Sequence, residues 1–412
     1  MKNFYMNYKN GLCMALLLAF SMASTGLFAQ ATLWLGNNTD WNSETNWTNG
    51  VPDEGATAIV STTPEGGQFP IYAGGPVLDF TLQNSGEVTF NSVIYNLGNI
   101  VNFQGGKITC NEYFVNAGVI SFDNDGSFIS SNSLDNYGTI DNAASADLSI
   151  TGGTFNNFGL LINFGDLLIA QGVTANNYGT LESSMNIQLD GELTNSGHLN
   201  SGVGSSLNIN QDASLTNKAG AELECTCNLD NDGTIFNEGD LQVNFSSVFD
   251  NDGQFFTSGS YGLSGVYNNN TTITNLGSIA ILDAGEFNNY DLVTNNGSIA
   301  LNVCGKLVQY ANNLIGGDIQ SDGLVYTLNG AVDVQSTDLG FESEDINDRK
   351  IPIAGCKPNV FVTLGADGTV TIPNDAIDKG SYGSCGAQLV SVTLTPNTFT
   401  SADLGQQVVR LD

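Results

Sequence analysis

Basic residues are scarce. The 412 residues hold 10 Lys and Arg against 42 Asp and Glu, a formal charge of −32 at pH 7. Residues 1–29 carry Lys2 and Lys9 and no acid, so their removal would leave 42 acids against 8 bases. Nucleic acids and anionic membranes are held by basic patches, so neither is an expected partner. Calcium, cationic surfaces or plain solubility suit this charge better. From 77 to 340 there are three Lys (Lys107, Lys218, Lys306), no Arg and one His, His198. A polysaccharide lyase wants a basic proton acceptor, and these Lys are far apart along the chain. Long apolar runs are missing after residue 29, so no later stretch offers the roughly 20 apolar residues of a membrane span. A helical stripe is missing too. Gly, Asn and Ser are too frequent, and no 3.6-residue period lasts more than a turn. Charged residues make up only 13% and apolar ones 41%, the opposite of a disordered chain.

What the chain has is a phrase: apolar, any, Asn, any, Gly, any, apolar. Its clearest form is Leu134-Asp135-Asn136-Tyr137-Gly138-Thr139-Ile140. It returns around Asn157, Asn177, Asn195, Asn275 and Asn295. Asn116, 136, 157, 177 and 195 are 20, 21, 20 and 18 residues apart. A fixed period of this length marks a solenoid. Apolar residues two before the Asn and two after the Gly have strand spacing. Asn and Gly supply the bend between strands, since both tolerate positive φ. A second apolar pair follows, as in Leu148/Ile150 and Leu167/Ile169. Each unit thus holds two or three short strands that bury their apolar face only on a neighbouring unit. Equivalent strands would stack about 4.8 Å apart. The Asn side chains would then lie in register and could hydrogen-bond along the stack.

Residues 1–29 read as a secretory signal: Lys2 and Lys9, the apolar centre Met14 to Phe20, and cleavage near Ala29. Residues 30–76 hold all three Trp (Trp34, Trp41, Trp47) and four of the 8 Pro. The run Trp34…Trp41…Asn46-Trp47…Gly50-Val51-Pro52 resembles the opening of many secreted bacterial β-helix proteins. A Trp-rich cap would cover the open edge of the first coil. Sugar binding by these Trp is the other reading.

The solenoid is expected from 77 to 340, roughly 13 coils and on the order of 60 Å of stack. The period slips at Asn217-Lys218-Ala219-Gly220, by one residue. Residues 257–272 read as a loop thrown out of one coil, with Tyr261 and Tyr267 as its aromatic residues. Such insertions form the binding face of some solenoids; a tolerated surface insertion is the plainer reading. The Asn-x-Gly-x-apolar repeat resembles the β-helical repeats of filamentous-haemagglutinin-type adhesins. That resemblance implies a right-handed parallel β-helix with a surface or adhesive role, and it carries over no catalytic residue. The usual secretion-domain motifs of that family are not seen at this N-terminus.

Residues 341–354 break the pattern with clustered charge and read as a linker. Beyond them Val360 to Leu364 and Thr369 to Ile372 read as strands around the turn Ala366-Asp367-Gly368. Leu389 to Thr395 and Gln407 to Leu411 add two more. Gly355-Cys356-Lys357…Asp367-Gly368…Gly383-Ser384-Cys385-Gly386…Thr398-Phe399-Thr400-Ser401-Ala402-Asp403-Leu404-Gly405 resembles the hyalin-repeat type of immunoglobulin-like module. The resemblance implies a β-sandwich spacer or adhesive unit over 355–412. Ser401 stands where such modules often have Cys, and the sequence stops at Asp412 where further strands are expected. The module therefore reads as incomplete, or the chain as part of a longer one.

Six Cys follow the signal: 110, 225, 227, 304, 356 and 385. An exported chain permits disulfides, and Cys356–Cys385, within one small domain, is the expected pair. Cys225 and Cys227, two apart on one strand, point the same way and should not bond easily. One His leaves a Cys-x-Cys zinc site short of ligands.

Three features could carry chemistry. Asp230-Asn231-Asp232-Gly233 recurs 20 residues on as Asp250-Asn251-Asp252-Gly253. One coil apart, these carboxylates would repel unless a cation or water lay between them. Calcium suits such oxygen-rich turns, though Asp and Asn also make good solvated turns. Tyr137, Phe158 and Tyr178 fill one slot in successive repeats, as a stiffening ladder or a sugar-stacking strip. Paired carboxylates for a glycoside hydrolase are not set off from the repeat. The expectation is an all-β, exported, acidic parallel β-helix, with about 20 residues per coil and a C-terminal immunoglobulin-like module. It would be non-catalytic and would need no cofactor except possible calcium. It would present adhesive surfaces to a glycan or a host or cell-surface component. The alternative is a carbohydrate-active β-helix that binds or cleaves a polysaccharide.

Overall fold

The computed structural model describes residues 30–327, apart from 74–76, 124, 283–284, 303–304, 310–313, 316–317 and 322–323, together with parts of 352–412. The signal segment and most of the linker lie outside the described residues.

The chain winds through three parallel sheets of 13, 15 and 14 strands. One coil shows the route. Leu134–Asn136 lies in the first sheet, Thr139–Asn142 in the second and Asp147–Ile150 in the third; Thr154–Asn157 then returns to the first. Equivalent strands stack in register, Leu134 on Phe155, Thr139 on Leu160 and Asp147 on Asp166. This is a parallel β-solenoid with the expected period. The second sheet starts upstream of residue 77: Ala31–Leu33 pairs with Thr57–Val60, and that strand pairs with Thr81–Asn84. The Trp-rich stretch is thus continuous with the solenoid.

The alternation read in the sequence sets the core. Phe114, Leu134, Phe155, Ala175 and Leu193 stack inside the first sheet, and Ile120, Ile140, Leu161, Leu181 and Leu199 inside the second. Each fully buried Leu or Ile contributes about 1.5–3 kcal/mol. At the N-terminal end the three Trp close this column. Trp41 meets Trp47 edge-on at 4.7 Å and stacks on Phe80 at 5.9 Å. Trp34 and Trp47 donate their indole N–H to the carbonyls of Gln68 and Trp41, both at 2.7 Å. All three are buried, so their ring faces are taken up by the protein.

The repeated Asn is the last inward residue of its strand and is wholly buried. Asn136 Nδ2 donates to Asn157 Oδ1 at 2.8 Å and to the Leu160 carbonyl at 3.1 Å. The same two bonds recur on Asn116, Asn157, Asn177, Asn195 and Asn217. The chain of amides runs from Asn96 to Thr257, always donating toward the C-terminus. Similar ladders end the second sheet, Asn142 to Asn163 to Ser183, and the third, Asn231 to Asn251 to Asn269 to Asn289. Each of these three begins with an Asn above an apolar residue, Asn96 on Leu78, Asn142 on Phe122 and Asn231 on Ile209. Nothing below can donate, so the Oδ1 of each of these three Asn has no partner. An earlier second-sheet rung, Asn84 on Val60 donating to Asn102, has its Oδ1 satisfied by Gly86 N–H.

The motif glycine is required for a different reason than expected. Gly138, Gly159 and Gly179 are not in the positive-φ region. A Cβ at Gly138 would lie 2.0 Å from the Gly118 carbonyl of the coil below, and one at Gly159 would lie 2.1 Å from that of Gly138. Close approach of coils at this corner excludes a side chain. Positive φ falls mostly at the other two corners: between the second and third sheets at Gly105, Asp125, Ser145 and Gly204, and between the third and first at Gly153, Gly172 and Asp212. At the motif corner it occurs at Gly220, where the repeat carries its extra residue.

The stretch 257–272 also departs from expectation. It is a regular coil, with strands Gln254–Thr257, Ser260–Leu263, Val266–Asn269 and Thr272–Asn275. No loop is thrown out. Thr257 takes the Asn place in Thr257-Ser258-Gly259, and its hydroxyl accepts from Asn237 Nδ2 at 3.1 Å. Cys225 and Cys227 are disulfide-bonded, against expectation. The strand Glu222–Cys225 ends at the first of them, and Thr226–Cys227 form the bend. The alternation that would keep both thiols on one straight strand is therefore broken.

Among the described residues beyond the solenoid are three two-stranded antiparallel pairs. Thr369–Thr371 pairs with Thr398–Thr400, while 362–365 form no strand. Among the described residues the expected pairing of 360–364 with 369–372 is not seen; Asn397 supplies the carbonyl for Ile372 N–H. The turn itself is present, with Gly368 at positive φ and the Asp367 carboxylate accepting from Thr369 N–H and Oγ1. Ile372, Leu394 and Phe399 form a small core. Cys356 and Cys385 lie outside the described residues.

Candidate functional site

The third sheet carries two outward columns of oxygen-bearing side chains. One climbs through Gln188, Asn208, Asp230, Asp250, Asn268 and Asn288, in register. The other lies two residues on, in the bend: Asp190, Asn210, Asp232, Asp252 and Asn270. The acids in the middle are the sequence-predicted Asp230, Asp232, Asp250 and Asp252. Three of the four converge. One carboxylate oxygen each from Asp230, Asp232 and Asp252 lies within 4.8 Å of the others, and all three residues are exposed.

Their neighbours are treated differently. Asp190 accepts from Gln188 and Asn210, and Asp250 from Asn268 Nδ2 at 2.7 Å. Asp230, Asp232 and Asp252 receive no side-chain donor and no cation among the described residues, whose three ion pairs all lie elsewhere. Partial burial, with the charges of Asp232, Asp250 and Asp252, raises the Asp230 carboxyl above the usual carboxylate value. Each like-charge pair at this distance costs roughly 1 kcal/mol in water and more at a surface of lower effective dielectric. A divalent cation would convert that repulsion into attraction. The oxygen-only donor set fits a hard cation such as calcium. One converging oxygen from each of three carboxylates is fewer than the six to eight such an ion takes, so water would complete its shell.

The aromatic slot is a ladder as predicted. Tyr137 and Phe158 stack at 4.6 Å and 8°, and Phe158 and Tyr178 at 5.0 Å and 7°. The geometry limits what the ladder can bind. Phe158 is covered on both faces by its neighbours, so only ring edges face solvent along the strip. Open faces remain at the two ends: Tyr137 stands over Ala117, and Tyr178 lies under Ser196. Exposure follows, 55% and 50% for the terminal tyrosines against 41% for Phe158. Nearby, Tyr113 donates its hydroxyl proton to Asp135, which is mostly buried, and Asn156 Nδ2 donates to the same carboxylate at 2.7 Å. Burial, then that bond, raises the Tyr113 phenol.

Tyr261 and Tyr267 are not surface residues. Both point into the solenoid, fully buried, in a cluster with Phe249, Phe255 and Phe287. Their hydroxyls find no partner, and burial raises both phenols well above the ordinary tyrosine value. They cannot meet an external ligand.

Two features escaped the sequence reading. Phe236 and Phe256 form a second stacked pair, 5.2 Å apart, outside the first sheet. Outward amide ladders run opposite to the buried ones: Asn176 donates to Asn156 and Asn156 to Asp135, while Asn288 donates to Asn268 and Asn268 to Asp250. Each ends on an Asp, which accepts and cannot donate. The spacing of Asp135, Asn156 and Asn176 was the available signal.

No protein-family model, curated protein or solved structure matches the chain.

Proposed function

We infer that the chain is a non-catalytic rod of an exported or cell-surface protein, which holds adhesive surfaces away from its point of attachment. The observation that carries this reading is the buried amide ladder from Asn96 to Thr257. It commits both N–H groups of nearly every rung to the next coil, which stiffens the stack at the expense of any interior site. Export is supported by the basic and apolar leader and by the Cys225–Cys227 disulfide, which persists in an oxidising compartment. The repeat phrase supports kinship with filamentous-haemagglutinin-type adhesins, and the 355–412 motifs support a hyalin-repeat module. Calcium at Asp230, Asp232 and Asp252 is a structural ligand in this reading, damping repulsion between adjacent coils.

A carbohydrate-active role has one observation in its favour: a raised Asp230 carboxyl beside two further acids is a plausible acid and base set. The test is small-angle scattering together with product analysis on a polysaccharide panel. A rod with a solenoid on the order of 60 Å long and no released oligosaccharide supports the inference. Sugar release that disappears in Asp230→Asn would replace it with a hydrolase.

A further inference from the structure

The aromatic ladder lacks a rung. Leu97, Ala117, Tyr137, Phe158 and Tyr178 occupy one slot in five successive coils, set by the register of Asn96, Asn116, Asn136, Asn157 and Asn177. Where the ladder has rings, they fill the coil-to-coil spacing at 4.6 and 5.0 Å. At Ala117 a methyl stands in their place. A ring-sized space is therefore left against the open face of Tyr137, with Leu97 beneath it. Leu97 is 43% exposed, so the space opens to water on its outer side.

Its flank holds two phenols beside a buried valine and a buried carboxylate, and carries no cation. Tyr95, Val115 and Asp135 are register neighbours on the adjoining outer face, and Tyr113 stands beside Asp135. The Tyr113 proton is committed to that carboxylate, so the hydroxyl is left as an acceptor. Tyr95, half-exposed, brings a second hydroxyl. Among the described residues no Lys or His lies on these coils' first-sheet face; Lys107 begins a third-sheet strand.

We propose that this missing rung is a subsite for one sugar ring of a neutral glycan, its C–H face on Tyr137 and its hydroxyls donating to Tyr113 and Tyr95. A flat ring with an apolar face and an edge of hydroxyl donors satisfies both walls. The acceptor flank and a chain charge of −32 turn away acidic polysaccharides. The proposal deepens the reading of the chain as a non-catalytic adhesive rod by naming the class of ligand.

The experiment is a titration of the purified chain with neutral pentasaccharides of glucose, mannose, galactose and xylose, and with an oligogalacturonate, followed by tyrosine resonances and calorimetry. At least one neutral sugar should bind and perturb Tyr137. Ala117→Tyr fills the space with protein, and should weaken that binding roughly tenfold, as the loss of one aromatic contact implies. Tyr137→Ala should do the same, while Ser196→Tyr, which closes the opposite end of the ladder, should leave it unchanged. Because Ala117→Tyr adds a rung, its melting temperature should not fall, which keeps the test valid if Tyr137→Ala folds poorly. No binding by any neutral sugar, preference for the oligogalacturonate, or undiminished binding by Ala117→Tyr overturns the proposal. A chain that binds none of them but scatters as a rod sinks the subsite alone; sugar cleavage sinks the rod reading.

Discussion

Asn157 Nδ2 stands 2.8 Å from Asn177 Oδ1 and 2.9 Å from the Thr180 carbonyl, so one buried amide ties two elements of the next coil. Its own Oδ1 accepts from Asn136 below. Asn157→Asp keeps the shape and removes both donors. It leaves a buried carboxylate facing two oxygens, at a cost of roughly 3–5 kcal/mol. Asn157→Leu removes the amide and strands its neighbours, at about 1–3 kcal/mol for each buried group left unpaired. The Asp variant leaves the same two acceptors unpaired and adds a charge facing them, so urea unfolding should rank Asp below Leu and both well below the parent chain. An unshifted midpoint for the Asp variant would show that the ladder carries no stability.

Glycine substitutions should separate close approach from backbone conformation. Gly159→Ala drives a methyl into the Gly138 carbonyl at 2.1 Å. Neither partner is the end of a flexible side chain, so coils must move apart, at a cost of order 1–3 kcal/mol or above. Gly172→Ala meets nothing within 4 Å and suffers only its φ of +79°, about 1–2 kcal/mol. Thermal melts should place Gly159→Ala below Gly172→Ala. The reverse order would mean that positive φ, not coil spacing, governs the corners.

The acid cluster gives a response of known sign. Asp230 has its carboxyl raised in the folded chain, first by burial and then by Asp232, Asp250 and Asp252. The folded state therefore holds this proton more tightly than the unfolded one, and ionisation of the group works against folding. Stability should fall as pH rises from the ordinary carboxylate range through the raised value, then level off. At neutral pH calcium should restore it, raising the melting temperature, and a chelator should reverse the gain. Without calcium, Asp230→Asn should match or exceed the parent, having lost a repelling charge; with calcium its gain should shrink. A melting temperature indifferent to calcium and chelator ends the metal reading.

Tyr261 and Tyr267 bury hydroxyls that bond to nothing. Each phenol so placed costs about 1–3 kcal/mol in lost hydration. Tyr261→Phe and Tyr267→Phe keep the rings and discard that cost, so each variant should be at least as stable as the parent. A clear loss of stability in denaturant would reveal a bond to the hydroxyl that this packing does not contain.

The architecture was legible because the Asn-x-Gly phrase serves two physical needs at once: a buried amide rung and a side-chain-free corner. Its period gave the coil, and the two apolar positions around it gave the inward residues, such as Leu134 and Ile140. The coil at 257–272 was misread because Thr257 replaces the Asn. A hydroxyl can accept the bond from Asn237, but it does not resemble an amide in the sequence. Two tyrosines then stood where aliphatic residues usually do, and tyrosine suggests a surface. The disulfide was misread because the strand was drawn through Cys227, one bend too far. At the acid cluster the repeat spacing found the residues. It could not tell Asp250, which Asn268 satisfies, from the three that nothing satisfies; that depends on which oxygens a side chain in the next coil can reach.

The buried ladders also restrict how such a chain can change its length. A whole coil can be added or removed, because every rung offers the same donor above and the same acceptor below. An insertion of a few residues within a strand would shift every rung beyond it out of reach. Growth by duplication of whole coils is the route the bonding leaves open, while the outward residues between rungs stay free to be rewritten.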